Sequence, residues 1–172
     1  MSVYRVNIIR AVLLLLIQIL IFNFVHITWF SIPFIEVFVY PLIIFLLPLR
    51  TPESLVIVIG FSAGLIVDIF MNTPGVHSGA SAFSGLVRPY VINYFTPRGG
   101  YKVNISPAIS TINLRWFLKY AAVMITLHCF AVSFIDIFQI KLLHYVLLRM
   151  ILSAAISYVV IMIIMIVFDQ NE

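Results

Sequence analysis

The sequence predicts an all-α integral membrane protein: six transmembrane helices in a compact bundle, with both termini on the cytoplasmic side. Two observations carry the prediction. Of 172 residues, 63% are hydrophobic and only 9% are charged, whereas a soluble domain is roughly 45–50% apolar and about 25% charged. The apolar residues also fall in long continuous runs, each near the ~20 residues that a helix needs to cross a bilayer. Soluble globular, disordered, collagen-like and disulfide-stapled chains are excluded by the same composition. Barrel strands would alternate polar and apolar side chains, and these runs do not.

The first run, about residues 11–30, follows Arg5 and Arg10. It ends in FNFVHITWF with no small-x-small site, so a cleavable signal peptide is not expected. The second, about 32–49, contains Pro41 and Pro48 and is expected to be kinked or broken there. The third covers about 54–70 and the fourth about 79–95. The polar stretch Thr96–Arg115 follows, either a basic connector lying on anionic headgroups or a docking surface for a cytoplasmic partner. The fifth run covers about 116–137. The sixth, about 142–168, is long enough to cross with some tilt. No repeat or heptad array divides the chain, so a single membrane domain over residues 1–172 is expected.

Orientation follows from the basic residues. Arg5, Arg10, Arg50, Arg98, Lys102, Arg115 and Lys119 fall on one side and only Lys141 on the other, while Arg88 and Arg149 lie inside apolar runs. The positive-inside bias then places both termini in the cytoplasm. The same use of charge accounts for a net charge of +4 and a pI near 9.4. Ten scattered basic residues do not make the stripe that nucleic acid binding requires, so no nucleic acid partner is expected.

Gly60-Phe61-Ser62-Ala63-Gly64 matches the nucleophile elbow G-x-S-x-G, but that chemistry needs a strained strand-to-helix turn with a placed His and acid. Inside an apolar helix-length run, even with His128 as a distant partner, the match reads as accidental. Gly60 and Gly64 read better as a small-residue face for close helix packing. Gly75 with Gly79, Ser81 with Gly85, and Ser153 with Ser157 repeat the spacing. His26, His77, His128 and His144 form no metal-ligand spacing. The chain has one cysteine, Cys129, which excludes an intrachain disulfide. Neither a P-loop nor a dinucleotide fingerprint is present. No enzyme activity, cofactor or metal is therefore expected.

The intramembrane charges are the candidate functional residues. A charge at mid-bilayer costs about 2.5–3.5 kcal/mol even on a lenient scale, so such groups face the bundle interior and find partners. Asp68, Arg88 and Arg149 are of this kind. An Asp68–Arg149 or Asp68–Arg88 pair is expected, with contact to another protein's helix or snorkelling to headgroups as the alternatives.

The stretch GFSAGLIVDIFMNTPGVHSGASAFSGLVRPYV, Gly60–Val91, resembles the core of the rod-shape-determining MreD family. There a span carries G-x-x-x-G-x-x-x-D, followed by a short polar turn and a second, small-residue-rich span. Gly60, Gly64, Asp68, Thr73, Gly75 and the residues after Gly79 occupy those positions. The resemblance implies a non-enzymatic component of the cell-elongation machinery in the bacterial plasma membrane. It would work with an MreC-like single-span protein, and through it with MreB filaments and RodA/PBP2-type wall synthases. The family is distantly similar to the six-helix substrate-binding subunits of energy-coupling-factor transporters. That similarity implies a second reading, a small-solute-binding subunit of an importer, for which His26, Thr28, Trp29, Asn72, Thr73 and His77 would be the outer-loop groups available.

Overall fold

A computed structural model describes residues 3–22, 26–29, 32–101, 105–137 and 143–168. It is mostly helical. Helix α1 (Val3–Ile17) runs into a π-helical turn, Gln18–Phe22. A small antiparallel hairpin follows, β1 (His26–Trp29) and β2 (Ile32–Glu36), with His26 opposite Glu36 and an irregularity between Ile27 and Thr28. An extended segment then leads into the four-residue helix α2 (Leu42–Phe45). Four long helices complete the fold: α3 (Glu53–Met71), α4 (Val76–Tyr94), α5 (Leu114–Ile137) and α6 (Leu143–Phe168).

Among the described residues, three stretches are long and apolar enough to cross a membrane: Glu53–Met71, Leu114–Asp136 and His144–Phe168, with mean hydropathies of 2.3, 1.7 and 2.8. Their outward faces carry exposed Val58, Phe61 and Ile69 on α3 and Ile151, Ile163 and Phe168 on α6. Apolar side chains facing out over whole helices are what a lipid solvent selects. Helix α4 equals α3 in length, at 19 residues, but it is less apolar because Ser78, Ser81, Ser84, His77 and Arg88 are turned inward and buried.

The second apolar run departs from expectation. Residues 32–49 do not form one helix; they comprise β2, an extended stretch and α2. Pro33, Pro41 and Pro48 lie within 18 residues. Each removes a backbone donor and restricts the residue before it. Between Pro33 and Pro41 every residue except Glu36 is β-branched or aromatic, which favours extended backbone. The described residues are therefore not purely α, and in the first run too β1 occupies His26–Trp29.

This irregular segment is the centre of the molecule. Residues 36–46 are all buried, and Val39, Tyr40, Ile44 and Phe45 are wholly inaccessible. The connection between α4 and α5 is anchored as well. Trp116 donates its indole N–H to the Phe95 carbonyl at 2.7 Å, Tyr101 donates to the Ile92 carbonyl at 2.7 Å, and the Leu49 amide donates to the Ile105 carbonyl at 3.0 Å. Burial raises the Tyr101 phenol above its ordinary pKa, which keeps it a donor.

Candidate functional site

Extended backbone in an apolar interior must have its N–H and C=O groups satisfied by protein, and polar side chains placed along the neighbouring helices do this. Gln18, in the π turn, donates its amide to the Val37 carbonyl at 3.0 Å and accepts from the Val39 amide at 2.9 Å. From α6, Ser153 Oγ accepts the Glu36 amide at 3.1 Å and Ser157 Oγ accepts the Phe38 amide at 2.8 Å. Ser153 and Ser157, four apart on one helix face, thus meet alternate amides of an extended strand. A packing role alone does not describe them.

Beyond the segment, the Tyr40 hydroxyl is a hub. It lies 3.0 Å from His128 Nε2, 3.4 Å from His77 Nδ1 and 3.2 Å from Ser81 Oγ, which donates to it. His128 Nδ1 is 2.9 Å from Ser84 Oγ. Phe38 packs against both imidazoles, with ring centroids 5.6 and 5.7 Å away. Among the described residues, no three His, Cys, Asp or Glu side chains converge as a metal site. Ser62 Oγ donates to the Val58 carbonyl at 2.8 Å on an exposed surface, so it and His128 are not brought together.

The three intramembrane charges are placed, but Asp68 pairs with neither arginine. Its carboxylate accepts five hydrogen bonds from the turn and helix that follow it. Oδ1 takes the Thr73 hydroxyl at 3.1 Å and the His77 amide at 2.9 Å. Oδ2 takes the Gly75 amide at 3.1 Å, the Ser78 amide at 3.0 Å and the Ser78 hydroxyl at 2.7 Å. His77 and Ser78 lie in the first turn of α4, whose amides have no intrahelical acceptor. A carboxylate there satisfies them and matches the positive end of the helix dipole. Asp68 is therefore a latch between α3 and α4, and five local donors replace the expected distant cation.

Arg149 pairs with two other acids. Its Nη2 lies 2.7 Å from Glu36 Oε2, and its Nη1 contacts Asp136 Oδ2. Arg88 donates to the Leu47 carbonyl, while Tyr120 beside it donates to the Phe45 carbonyl at 3.0 Å. Both cap the C-terminal end of α2, where carbonyls lack partners and a cation is favourable. The Arg88 Nε–H is buried without a partner among the described residues.

The glycines divide. A Cβ on Gly64 would lie 2.3 Å from the His77 carbonyl oxygen, and one on Gly60 2.8 Å from that of Ser81. Gly85 returns the contact, since its Cβ would lie 3.1 Å from Ile57 Cα. These three let the backbones of α3 and α4 approach closely. A Cβ on Gly79 would face Ile135 on α5 at 3.1 Å. Gly75 is not a packing residue: nothing lies within 4 Å, and φ is +90°. It is the left-handed residue that begins α4, as Asn72 (φ 55°) is the one that ends α3.

Gln18, Glu36, Tyr40 and Asp136 did not stand out in the sequence. Glu36 was open to detection as an acid in an apolar run, and Gln18 as a lone amide in another. Nothing local in the sequence indicates that Tyr40 joins two histidines from different helices.

The latch gives a direct prediction. Asp68→Asn places an amide NH2 where a carboxylate oxygen accepts bonds, so at least two buried donors lose their acceptor. We expect a loss of about 3 kcal/mol, read as a lower melting temperature in detergent. Adding Arg88→Gln or Arg149→Gln should give no recovery. Recovery with either would restore the Asp–Arg pairing.

Comparison of the chain with protein-family models, curated proteins and solved structures finds no match.

Proposed function

We propose that this chain is a non-enzymatic scaffold of the bacterial cell-elongation machinery. It would lie in the plasma membrane as six spans with both termini cytoplasmic. It would couple an MreC-like single-span protein, and through it MreB filaments, to RodA/PBP2-type wall synthases. The resemblance of Gly60–Val91 to the MreD core motivates the reading. The close α3–α4 contact gives that motif a physical purpose, since two glycines admit the neighbouring backbone and the aspartate fastens it.

The observation that carries the reading against its rival is the filled interior. Phe38, Tyr40, Phe45, His77 and His128 are each 1% exposed or less, and the polar groups among them bond to one another. A solute-binding subunit needs a concave site with unspent polar groups. Of the groups such a site would use, the Thr73 hydroxyl is committed to Asp68 and the His77 imidazole is buried beside the Tyr40 hydroxyl. The side chains of His26, Thr28 and Trp29 lie outside the described residues. A bundle of this kind, with little mass beyond its spans, acts through its outer helix faces and short loops.

The test has two readouts. Deleting the gene should widen or round the cells, and the tagged protein should co-purify with an MreC-like protein. Unchanged cell width, together with co-purification of a transport ATPase, would support the importer instead. Topology is checked with Arg98→Cys in a Cys129→Ser background. The new thiol should react with an impermeant reagent only after the membrane is opened, and labelling of intact cells would overturn the cytoplasmic placement.

A further inference from the structure

Three elements meet at one buried polar point. Tyr40 of the central segment, His77, Ser81 and Ser84 of α4, and His128 of α5 bond to one another there. His128 is wholly inaccessible, and both its ring nitrogens are engaged, Nε2 with Tyr40 at 3.0 Å and Nδ1 with Ser84 at 2.9 Å. A neutral imidazole suits both contacts, because one nitrogen carries a hydrogen and the other a lone pair. The Phe38 ring packs edge-on against the same imidazole.

This interior is filled, so no solute enters it, but a proton needs no cavity. A proton taken up by His128 makes it a buried cation, and a buried charge is costly unless it is paired. The surrounding acids are committed elsewhere. Asp68 of α3 is held by its five donors, while Glu36 of the segment and Asp136 of α5 share Arg149 of α6. Arg88, the one cation of α4, bonds to the Leu47 carbonyl, and Cys129 is a free thiol. Among the described residues no carboxylate pairs with His128, and the ionisable groups it meets are Tyr40 and His77. An imidazolium in the closed hub therefore has no counter-charge. It is accommodated only when the hub opens and the ring is solvated.

We propose that the hub is an acid-operated clasp: it holds Tyr40 between α4 and α5 while His128 is neutral, and proton uptake by His128 opens it. Linkage fixes the sign. The open form binds the proton and the closed form does not, so closure is complete above the free histidine pKa of about 6.5 and weakens as pH falls below it. Carboxylates, with ordinary values near 4, stay ionised down to pH 5.5, so the Asp68 latch and the Arg149 pairs are left intact over that range. The clasp does not depend on the cell-wall reading.

Cys129, the chain's single cysteine, is buried beside His128 in sequence and reports opening directly. The measurement is its rate of reaction with N-ethylmaleimide in nanodiscs, divided by the rate in SDS-unfolded protein at the same pH. That ratio cancels the reagent's own pH dependence and gives the open fraction. From pH 7.5 to 5.5 the open fraction should rise about tenfold or more, the linkage of one histidine that is charged only when released. His128→Gln, which still reaches Tyr40, should remove about a tenfold share of the rise. His128→Asn, which keeps the contact with Ser84, serves if the first variant does not fold. His144→Gln, at an exposed position, should leave the rise as in the wild type. A pH-independent open fraction in the wild type overturns the proposal. So does a full rise in a folded His128 variant, or a rise that disappears with His144→Gln.

Discussion

Gly64→Ala is expected to prevent α3 and α4 from closing. The added methyl would sit 2.3 Å from the His77 carbonyl oxygen and 2.6 Å from Ser78 Cα. Both are backbone atoms, so no side chain can turn aside to admit it. The helices must separate, and the His77 and Ser78 amides are the groups that hold Asp68 at 2.9 and 3.0 Å. One methyl thus opens both the packing and the latch, and we expect a cost of about 3 kcal/mol or more. Two controls separate clash from mere substitution. Gly79→Ala meets only the end of the Ile135 side chain, at 3.1 Å, and should change stability little. Gly75→Ala has open space but keeps φ at +90°, and should cost about 1–2 kcal/mol in backbone strain. Monodisperse yield and melting temperature in detergent are the measurements. A Gly64→Ala protein that matches the wild type in both would mean that α3 and α4 do not approach in this way.

The long helices were legible because a continuous apolar run is a strong signal. The runs at 54–70, 79–95, 116–137 and 142–168 each hold a helix whose ends lie within three residues. The glycine spacing was equally open to reading, since Gly60 and Gly64 stand one turn apart and α4 fills the space above them. Run 32–49 was harder. Its prolines announced a break, but hydropathy cannot distinguish a kinked helix from extended chain whose amides are satisfied by Gln18, Ser153 and Ser157 from elsewhere. The importance of Asp68 was visible in its position, while its partners were not. A buried carboxylate suggests a distant cation, yet the sequence five to ten residues on, Thr73 to Ser78, already contained every donor. The lesson is local: an acid at the end of one helix, followed by T-x-G-x-x-S, can cap the next helix.

Arg149→Met is expected to cost about 3 kcal/mol, because it leaves the buried Glu36 carboxylate, with the more exposed Asp136 beside the same arginine, without a cation. The two acids are not equivalent. The Glu36 side chain is 10% exposed and that of Asp136 is 29% exposed, so water can solvate the second far better than the first. Glu36 also belongs to the central segment, with its amide on Ser153 at 3.1 Å. An unpaired charge there disturbs the backbone around which the helices pack. Neutralising the right acid should therefore recover most of the loss. In the Arg149→Met background, Glu36→Gln is expected to restore a large share of the melting temperature, Asp136→Asn a small share, and Asp68→Asn none. The last pair should be additive, since Asp68 is held by its own donors and shares no partner with Arg149. Thermal unfolding of the single and double variants measures each coupling. Rescue by Asp68→Asn, with none by Glu36→Gln, would mean that the arginine is paired across the bundle with the latch and not with the strand.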